Sequence, residues 1–372
     1  MRIAILGTRG IPANYGGFET FAEEISKRLV KAGHQVTVYG RSSYIRPMLR
    51  EYEGVRIEVL PNVMHKYLDT PVNTALASLH VLFRKYDVLL YCNSANAACT
   101  LLPRMAGHRI ALNVDGLEWQ RAKWNAFGKA VYRVSEYLST CIPNIVVTDA
   151  GMVRDYYWKK FRKSSVLIPY GTSLKRVESA EVLRRFGLRR RDYLLYVSRL
   201  EPENNAHAVV QAFEKVRTSK KLVIVGDAPF SRAYIRKLKE TKDRRILFTG
   251  YVFGRGYREF QSHAYAYIQA TEVGGTHPAL VEAMGHGNCI LANDVPEHRE
   301  VLADAGLYFS ARNIAGLAER IRQVLDHPDK VEEMRRLAYR RACQHYSWER
   351  ITSDYEKLFR RMAGQGMRQS GR

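Results

Sequence analysis

The sequence predicts an α/β protein with two domains, each a parallel sheet with helices on its faces. Three observations predict it. The chain opens as a strand (residues 2–6), a glycine-rich loop (7–17), a helix (18–32) and a second strand (34–40), which is a βαβ unit. The same alternation restarts at Tyr193, after a charged connection over residues 173–191. At 372 residues the chain is long enough to fill two cores.

The first strand is Arg-Ile-Ala-Ile-Leu, and the loop that follows ends in the pair Gly16-Gly17. The helix has apolar residues at 18, 21, 22, 25 and 29, and Gly33 stops it. The loop is not G-x-G-x-x-G, and no Asp or Glu ends the second strand, so a dinucleotide-dependent enzyme is weakly supported. A glycine pair opening a helix suits a phosphate instead. Residues 55–60 alternate as a strand, 74–83 have helical spacing, and 87–91 read as a buried strand. The loop 92–96 then lies where open sheets bind ligands. Strand 109–114 ends in Asp115-Gly-Leu-Glu118-Trp119. A carboxylate at a strand's carboxyl end can bind hydroxyls or serve as a base, so Asp115 is a site candidate and Glu118 a second. The other reading is a turn or N-cap aspartate. A strand at 144–149 follows, and the stretch 165–172 ends the first domain.

In the second domain, strand 193–197 leads to a loop with Arg199 and Asn204, then a helix over 206–217. Strands follow at 221–225 and 245–250, the latter running into Tyr251-Val252-Phe253. Strand 265–270 precedes Thr271-Glu272-Val-Gly274-Gly275-Thr276-His277-Pro278 and a helix through Met284. Pro278 is tolerated in a first helical turn, and the glycines let the backbone approach a ligand. Loop and helix dipole together aim at an anion, most simply a phosphate. Glu282, one turn further on, would repel that phosphate and more plausibly accepts hydrogen bonds from sugar hydroxyls. The alternative is a capping turn with a solvated glutamate. A strand at 289–292, a loop at 293–298, a short strand at 307–309 and helices at 314–325, 328–346 and 348–362 complete the chain, with a disordered tail expected at 363–372.

The net charge of +22 draws the protein to anionic membranes, nucleic acids or anionic substrates. No apolar run is long enough to span a bilayer, and the N-terminal one is too short for a signal peptide. Cysteines 92, 99, 141, 289 and 343 form no C-x-x-C pair, which predicts reduced, buried thiols in a cytosolic protein. Residues 119–163 interleave Lys and Arg with Trp and Tyr, as in a surface resting on anionic lipid, or as in a solvated basic face over core aromatics. No nucleic-acid motif accompanies the charge. No Asp-x-Asp occurs, so a metal-bridged diphosphate is not indicated and no metal is expected.

The stretch 271–285, the loop 7–17 and the crossover string Ile168-Pro-Tyr-Gly171 resemble glycosyltransferase family 4, of the GT-B architecture. That resemblance implies two Rossmann-like domains facing each other across a cleft, with the last helix crossing back to the first. The implied domains are 1–172 on the acceptor side, 173–347 for the nucleotide sugar, and 348–362 for the returning helix. It implies retention of anomeric configuration without an enzymic nucleophile. Arg199 matches the family's diphosphate arginine, while Asn204 stands where the family has Lys; backbone N–H groups and Arg9 would make up that charge. Gly16 and Gly17 face the diphosphate, and Tyr251 and Val252 meet the base. Of the family's two glutamates with seven residues between them, Glu282 matches the second. Gly274 stands at the first, with Glu272 nearby but out of register. On the acceptor side the resemblance implies Tyr15, Phe18, Glu19, Asp115, Glu118, Trp119 and Lys123. The strings Gly-Thr-Arg-Gly-Ile-Pro-Ala-x-Tyr-Gly-Gly-Phe-Glu-Thr and Asp-Gly-Leu-Glu-Trp resemble bacterial rhamnosyltransferases. They imply dTDP-rhamnose as donor and a lipid-diphosphate-linked saccharide as acceptor, at the inner face of the cell membrane. Other UDP-, GDP- or ADP-sugars, and a non-catalytic basic binding protein, are the alternatives.

Overall fold

The computed structural model describes residues 1–364 apart from 14–15, 66–68, 122–123, 229–230 and 273. Its chain divides into two compact units, Met1–Tyr170 with Trp348 onward, and Gly171–Ser347.

In the first unit the strands are β1 (Arg2–Leu6), β2 (Gln35–Arg41), β3 (Glu51–Tyr52), β4 (Val55–Leu60), β5 (Val88–Cys92), β6 (Ile110–Asn113), β7 (Ile145–Thr148) and β8 (Val166–Leu167). They lie in the order β3-β4-β2-β1-β5-β6-β7-β8. All neighbours are parallel except β3, which forms an unanticipated hairpin with β4. The helices are α1 (Gly17–Lys31), α2 (Asp69–Leu82), α3 (Leu101–Met105), α4 (Ala126–Cys141) and α5 (Gly151–Phe161).

The period-two alternation of the strands sorts the core. Ile3 and Ile5 of β1 pack on one side with Phe21, Ile25 and Leu29 of α1. Ala4 and Leu6 face the other side, with Ala77 and Val81 of α2 and Val153 and Tyr157 of α5. Both faces are buried, so the strands read as near-continuous apolar runs.

The second unit continues with α6 (Glu181–Arg185), β9 (Tyr193–Val197), α7 (Ala206–Glu214), β10 (Lys221–Val225), α8 (Arg232–Leu238), β11 (Ile246–Gly250) and α9 (Gly254–His263). Then come β12 (Ala266–Gln269), α10 (Pro278–Gly285), β13 (Cys289–Asn293), α11 (Pro296–Leu302), β14 (Leu307–Phe309), α12 (Ile314–Asp326) and α13 (Pro328–His345). The sheet order is β11-β10-β9-β12-β13-β14, parallel throughout. The α/β expectation of two parallel sheets with helices is therefore met.

The final helix, α14 (Trp348–Met362), is part of the first unit. It lies along α1 and buries Trp348, Ile351, Tyr355, Leu358 and Phe359 in the α1-side core. Those positions make one helical stripe. Tyr355 also reaches the sheet, where Asn113 Nδ2 donates to its hydroxyl at 2.9 Å.

Three expectations are corrected. The helix expected over 206–217 stops at Glu214, with Lys215 as its C-cap. The loop expected at 293–298 turns into α11 at Pro296, which occupies the first helical turn. All five cysteines are free thiols, but only Cys92 and Cys289 are buried, and Cys141 is exposed at the end of α4. The expected disordered tail falls, from residue 365 on, outside the described residues.

Because Phe359 is fully buried between α14 and the sheet, Phe359→Ala should cost about 3–5 kcal/mol by urea denaturation. A loss under about 1 kcal/mol would mean that α14 is not part of this core.

Candidate functional site

Parallel sheets bind ligands beyond the carboxyl ends of their strands, where the strand order reverses. In the second unit the reversal falls between β9 and β12. The two loops leaving there are those with Arg199 and with Thr271–His277, and they are tied together. Asn205, at φ 58° before α7, donates from Nδ2 to the Ala270 carbonyl at 3.0 Å.

Arg199 is half-buried, and among the described residues its guanidinium has no ion-pair partner. Its backbone, by contrast, is pinned. The Arg199 carbonyl accepts from Ser198 Oγ at 2.6 Å and from Asn204 Nδ2 at 2.7 Å. Asn204 itself is buried, and its own carbonyl accepts from the Tyr196 hydroxyl at 2.5 Å. Asn204 is thus a brace for the Arg199 loop.

Across the reversal, α10 begins with His277 as N-cap, Pro278 in its first turn, no side-chain cap and no acid in that turn. Pro278 brings no N–H, and the Leu280 N–H donates to the His277 carbonyl at 3.0 Å, so the Ala279 N–H and the positive end of the helix dipole are what this turn offers an anion. The backbone at Gly274 is crowded by the His277 ring, so a side chain there would displace that ring. Gly275 and Thr276 are buried. Glu272 is instead drawn outward, 3.7 Å from Arg312.

Glu282 accepts a hydrogen bond from the Tyr257 hydroxyl of α9 at 2.5 Å, and Gln261 Nε2 approaches the same hydroxyl at 2.9 Å. Burial, then the neighbouring Glu282 charge, holds the Tyr257 phenol well above its usual range, so it stays a donor. At the outer edge of the site Tyr251 and Phe253 stack, ring centroids 5.5 Å apart and 18° from parallel. They form an exposed aromatic ledge beside half-buried Val252.

Sequence reasoning missed two residues here. Tyr257 belongs to a helix that precedes β12, and His298 lies in a stretch read as loop. His298 is fully buried, its Nδ1 2.8 Å from the Asn293 carbonyl and its Nε2 3.3 Å from Thr271 Oγ1. Burial lowers its pKa to about 4. The ring is therefore neutral, donating from Nδ1 and accepting from Thr271 at Nε2. Its centroid is 4.8 Å from that of His277, so it backs the loop that opens α10.

In the first unit the reversal falls between β1 and β5. Gly7, at φ 87°, is demanded there: a Cβ would lie 2.5 Å from the Cys92 carbonyl and 2.6 Å from Asn96 Nδ2. The next two strands end in non-glycine residues at positive φ, Asn93 at 76° and Asp115 at 60°. Such backbone costs about 1–3 kcal/mol per residue and concentrates at functional sites. The Asp115 turn is held by its own N–H donating to Asn113 Oδ1 at 3.0 Å. Asn113 in turn is held by Tyr355 of α14.

The other candidates of this unit serve the loops. Glu19, buried in the first turn of α1, accepts from the Arg9 N–H at 2.9 Å, and the Arg9 guanidinium lies 3.9 Å away. Gly16 is the extended N-cap and Gly17 the first residue of α1. The positive end of α1 is thus already complemented by Glu19, whereas that of α10 is not. Phe18 packs edge-on against Tyr170 at 6.1 Å. Glu118 is buried and 2.7 Å from Arg121. Trp119 is half-buried beneath the Arg133 guanidinium, 4.7 Å from its ring. Tyr15 and Lys123 lie outside the described residues. Among the described residues no group of three or more His, Cys, Asp or Glu is arranged to hold a metal ion.

Comparison with known proteins finds matches to both halves of the chain. Residues 15–176 match the family described as Glycosyltransferase Family 4. Residues 191–327 match the one described as Glycosyl transferases group 1. O-antigen chain mannosyltransferase B of Escherichia coli is 25% identical over 184 residues, 47% of this chain and 48% of that protein. The match thus spans about half the length of that curated relative. Sucrose-phosphate synthase from Thermosynechococcus elongatus superposes with a TM-score of 0.85 at 18% identity, covering 98% of this chain and 99% of that one. HepE of Anabaena, solved in complex with UDP-glucose, does so at 0.78 and 17% identity, covering 96% and 99%.

Two outcomes follow from the geometry. Arg199→Ala should weaken nucleoside diphosphate binding about tenfold to a hundredfold by calorimetry, the worth of a charge-assisted contact. An unchanged affinity would remove Arg199 from the site. His286 and His298 are both lowered to about 4 by burial, while the unfolded chain titrates near 6.5. The unfolded state therefore binds the extra protons first, and stability should fall as pH drops from about 6.5 to about 4. The loss is on the order of 3 kcal/mol per histidine. Denaturation midpoints that stay flat across that window would contradict it.

Proposed function

Because the chain has the GT-B fold, with a Glycosyltransferase Family 4 domain in its first half and a glycosyl transferases group 1 domain in its second, we propose that it transfers a sugar from a nucleoside diphosphate to an acceptor hydroxyl. The observation that carries this is Arg199, without an ion-pair partner among the described residues, on a loop tied through Asn205 to the end of the strand that leads into the acid-free start of α10. The second unit would hold the donor: diphosphate at Arg199 and Gly274–His277, base on the Tyr251–Phe253 ledge, sugar hydroxyls at Glu282. Glu272 contributes little, being turned to Arg312. Asp115 and its strained turn would present the acceptor hydroxyl.

In the reaction the bond from the anomeric carbon to the diphosphate oxygen breaks, and one to the acceptor oxygen forms. Negative charge grows on the leaving diphosphate, and Arg199 and the positive end of α10 stabilise it more in the transition state than before it. With retention, the acceptor proton passes to the departing phosphate oxygen. Arg199 and the helix dipole supply positive charge at the diphosphate, so the scheme is written without a metal.

The donor sugar follows from the motifs of the first unit, which favour dTDP-rhamnose and a lipid-diphosphate-linked acceptor on the inner face of the cell membrane. A second reading, a UDP-hexose donor, is favoured by the UDP-glucose held in the similar HepE structure. Among the described residues no helix is long and apolar enough to cross a membrane.

A donor panel tests the proposal. Purified protein is offered dTDP-rhamnose, UDP-glucose, GDP-mannose and an ADP-sugar, each with a synthetic lipid-diphosphate-linked GlcNAc and no added metal. Transfer from dTDP-rhamnose alone is the expected result. Transfer only from UDP-glucose would replace the sugar and keep the reaction. No binding or turnover of any donor would overturn the proposal.

A further inference from the structure

Three neighbouring helices on one side of the first sheet turn apolar side chains outward. On α2 the exposed stripe is Leu76, Leu79 and Phe83, the last just past the helix end and 86% exposed. On α3 it is Leu101, Leu102 and Met105, the last 75% exposed. On α4 it is Phe127, Val131 and Val134, Phe127 being 71% exposed. The spacing i, i+3, i+7 on α2 and i, i+4, i+7 on α4 keeps each of those two sets on one helical face.

The α2 and α3 faces adjoin, and α3 meets the end of α4. Helix α2 packs along α3. Leu101 and Met105 of α3 line the same shallow depression as Cys141 and Ile142 at the end of α4. Soluble monomers rarely expose so extended an apolar surface without a use for it. Helices facing only water would carry polar residues at these positions.

The charge around this surface indicates what covers it. Arg84, Lys85, Arg104 and Arg133 are exposed at its margin. The acids of these helices are neutralised: Asp69 of α2 is buried against Arg41, and Glu136 of α4 is buried against Lys160. A basic rim around apolar side chains matches an anionic lipid interface, with phosphates outside and acyl chains within. A second copy of a chain of net charge +22 would bring a like charge instead.

We infer that the α2–α3–α4 face is a monotopic membrane-docking surface, which seats the first unit on an anionic bilayer by shallow insertion of Phe83, Met105, Phe127 and their apolar neighbours. Its α4 part lies within the stretch 119–163 singled out by composition, other rings of which are core: Tyr157 is fully buried. The same helix α4 packs against the turns at Ser94–Asn96 and Glu118–Gln120, beside the Asp115 loop. An acceptor anchored in the bilayer would therefore lie near those loops. Only this last point rests on the proposed glycosyl transfer; the surface stands without it.

The test is co-sedimentation of the full chain with vesicles of phosphatidylcholine alone or with phosphatidylglycerol added. Binding is expected only with phosphatidylglycerol. The triple variant Phe83→Ser/Met105→Ser/Phe127→Ser should bind at least about tenfold more weakly. Its melting temperature should be unchanged, since these side chains are exposed. The reversal variant Arg84→Glu/Arg104→Glu should also bind more weakly. Wild-type protein left in the supernatant, or a triple variant that pellets like wild type, overturns the inference. So does a triple variant that turns a dimer into a monomer while keeping its vesicle affinity. No donor or acceptor enters the assay, so its failure is separable from failure of the donor panel.

Discussion

Where a parallel sheet reverses its winding, the neighbouring loops leave in opposite directions and no helix closes the gap between them. Both sheets of this protein depend on that constraint. In the second unit it leaves Arg199 and the start of α10 on either side of the β9–β12 boundary, joined by the Asn205–Ala270 hydrogen bond. In the first it forces the loops after β1 and β5 so close that only glycine fits at position 7. The residues with chemical potential are therefore gathered by topology, from segments far apart in the chain.

The two edges are not equivalent, and electrostatics separates them. Both α1 and α10 begin at glycine-containing loops and both offer a positive dipole end. At α1 the buried Glu19 occupies that end and fastens the loop through the Arg9 N–H. At α10 no acid is present in the first turn, and a basic side chain stands nearby on the β9 loop. An anion gains at the second edge and meets a carboxylate at the first. The Asp115 turn, at φ 60°, places a second acidic residue at the first edge.

Much of this was legible in the chain. The βαβ opening, the restart at Tyr193 and the strand–glycine loop–helix at 265–284 fixed the fold class, because buried parallel strands read as apolar runs between helical spacings. The 274–277 loop stood out because it follows a strand and opens a helix, and Arg199 through the resemblance to the family's diphosphate arginine. Tyr257 and His298 were not legible, since both act through hydrogen bonds to residues on other elements, Glu282 and Thr271. Asn204 was read as a ligand contact, but its amide is used on the Arg199 carbonyl. The outward apolar face of α2 escaped notice because this helix also carries apolar residues inward, and periodicity does not say which side meets the sheet. Composition pointed to 119–163, where buried Tyr157 and half-buried Trp119 supply rings to the interior and to Arg133.

The central claim is that the nucleoside diphosphate is held by the carboxyl edge of the second unit. Hydrogen–deuterium exchange of the whole chain, with and without saturating dTDP or UDP, tests it most directly. The account predicts slowed amide exchange at residues 198–205, at the 251–253 ledge and across the first turn of α10, with the β3–β4 hairpin unaffected. Protection confined to the loop 7–17, or none on the second unit with either nucleotide, would contradict it.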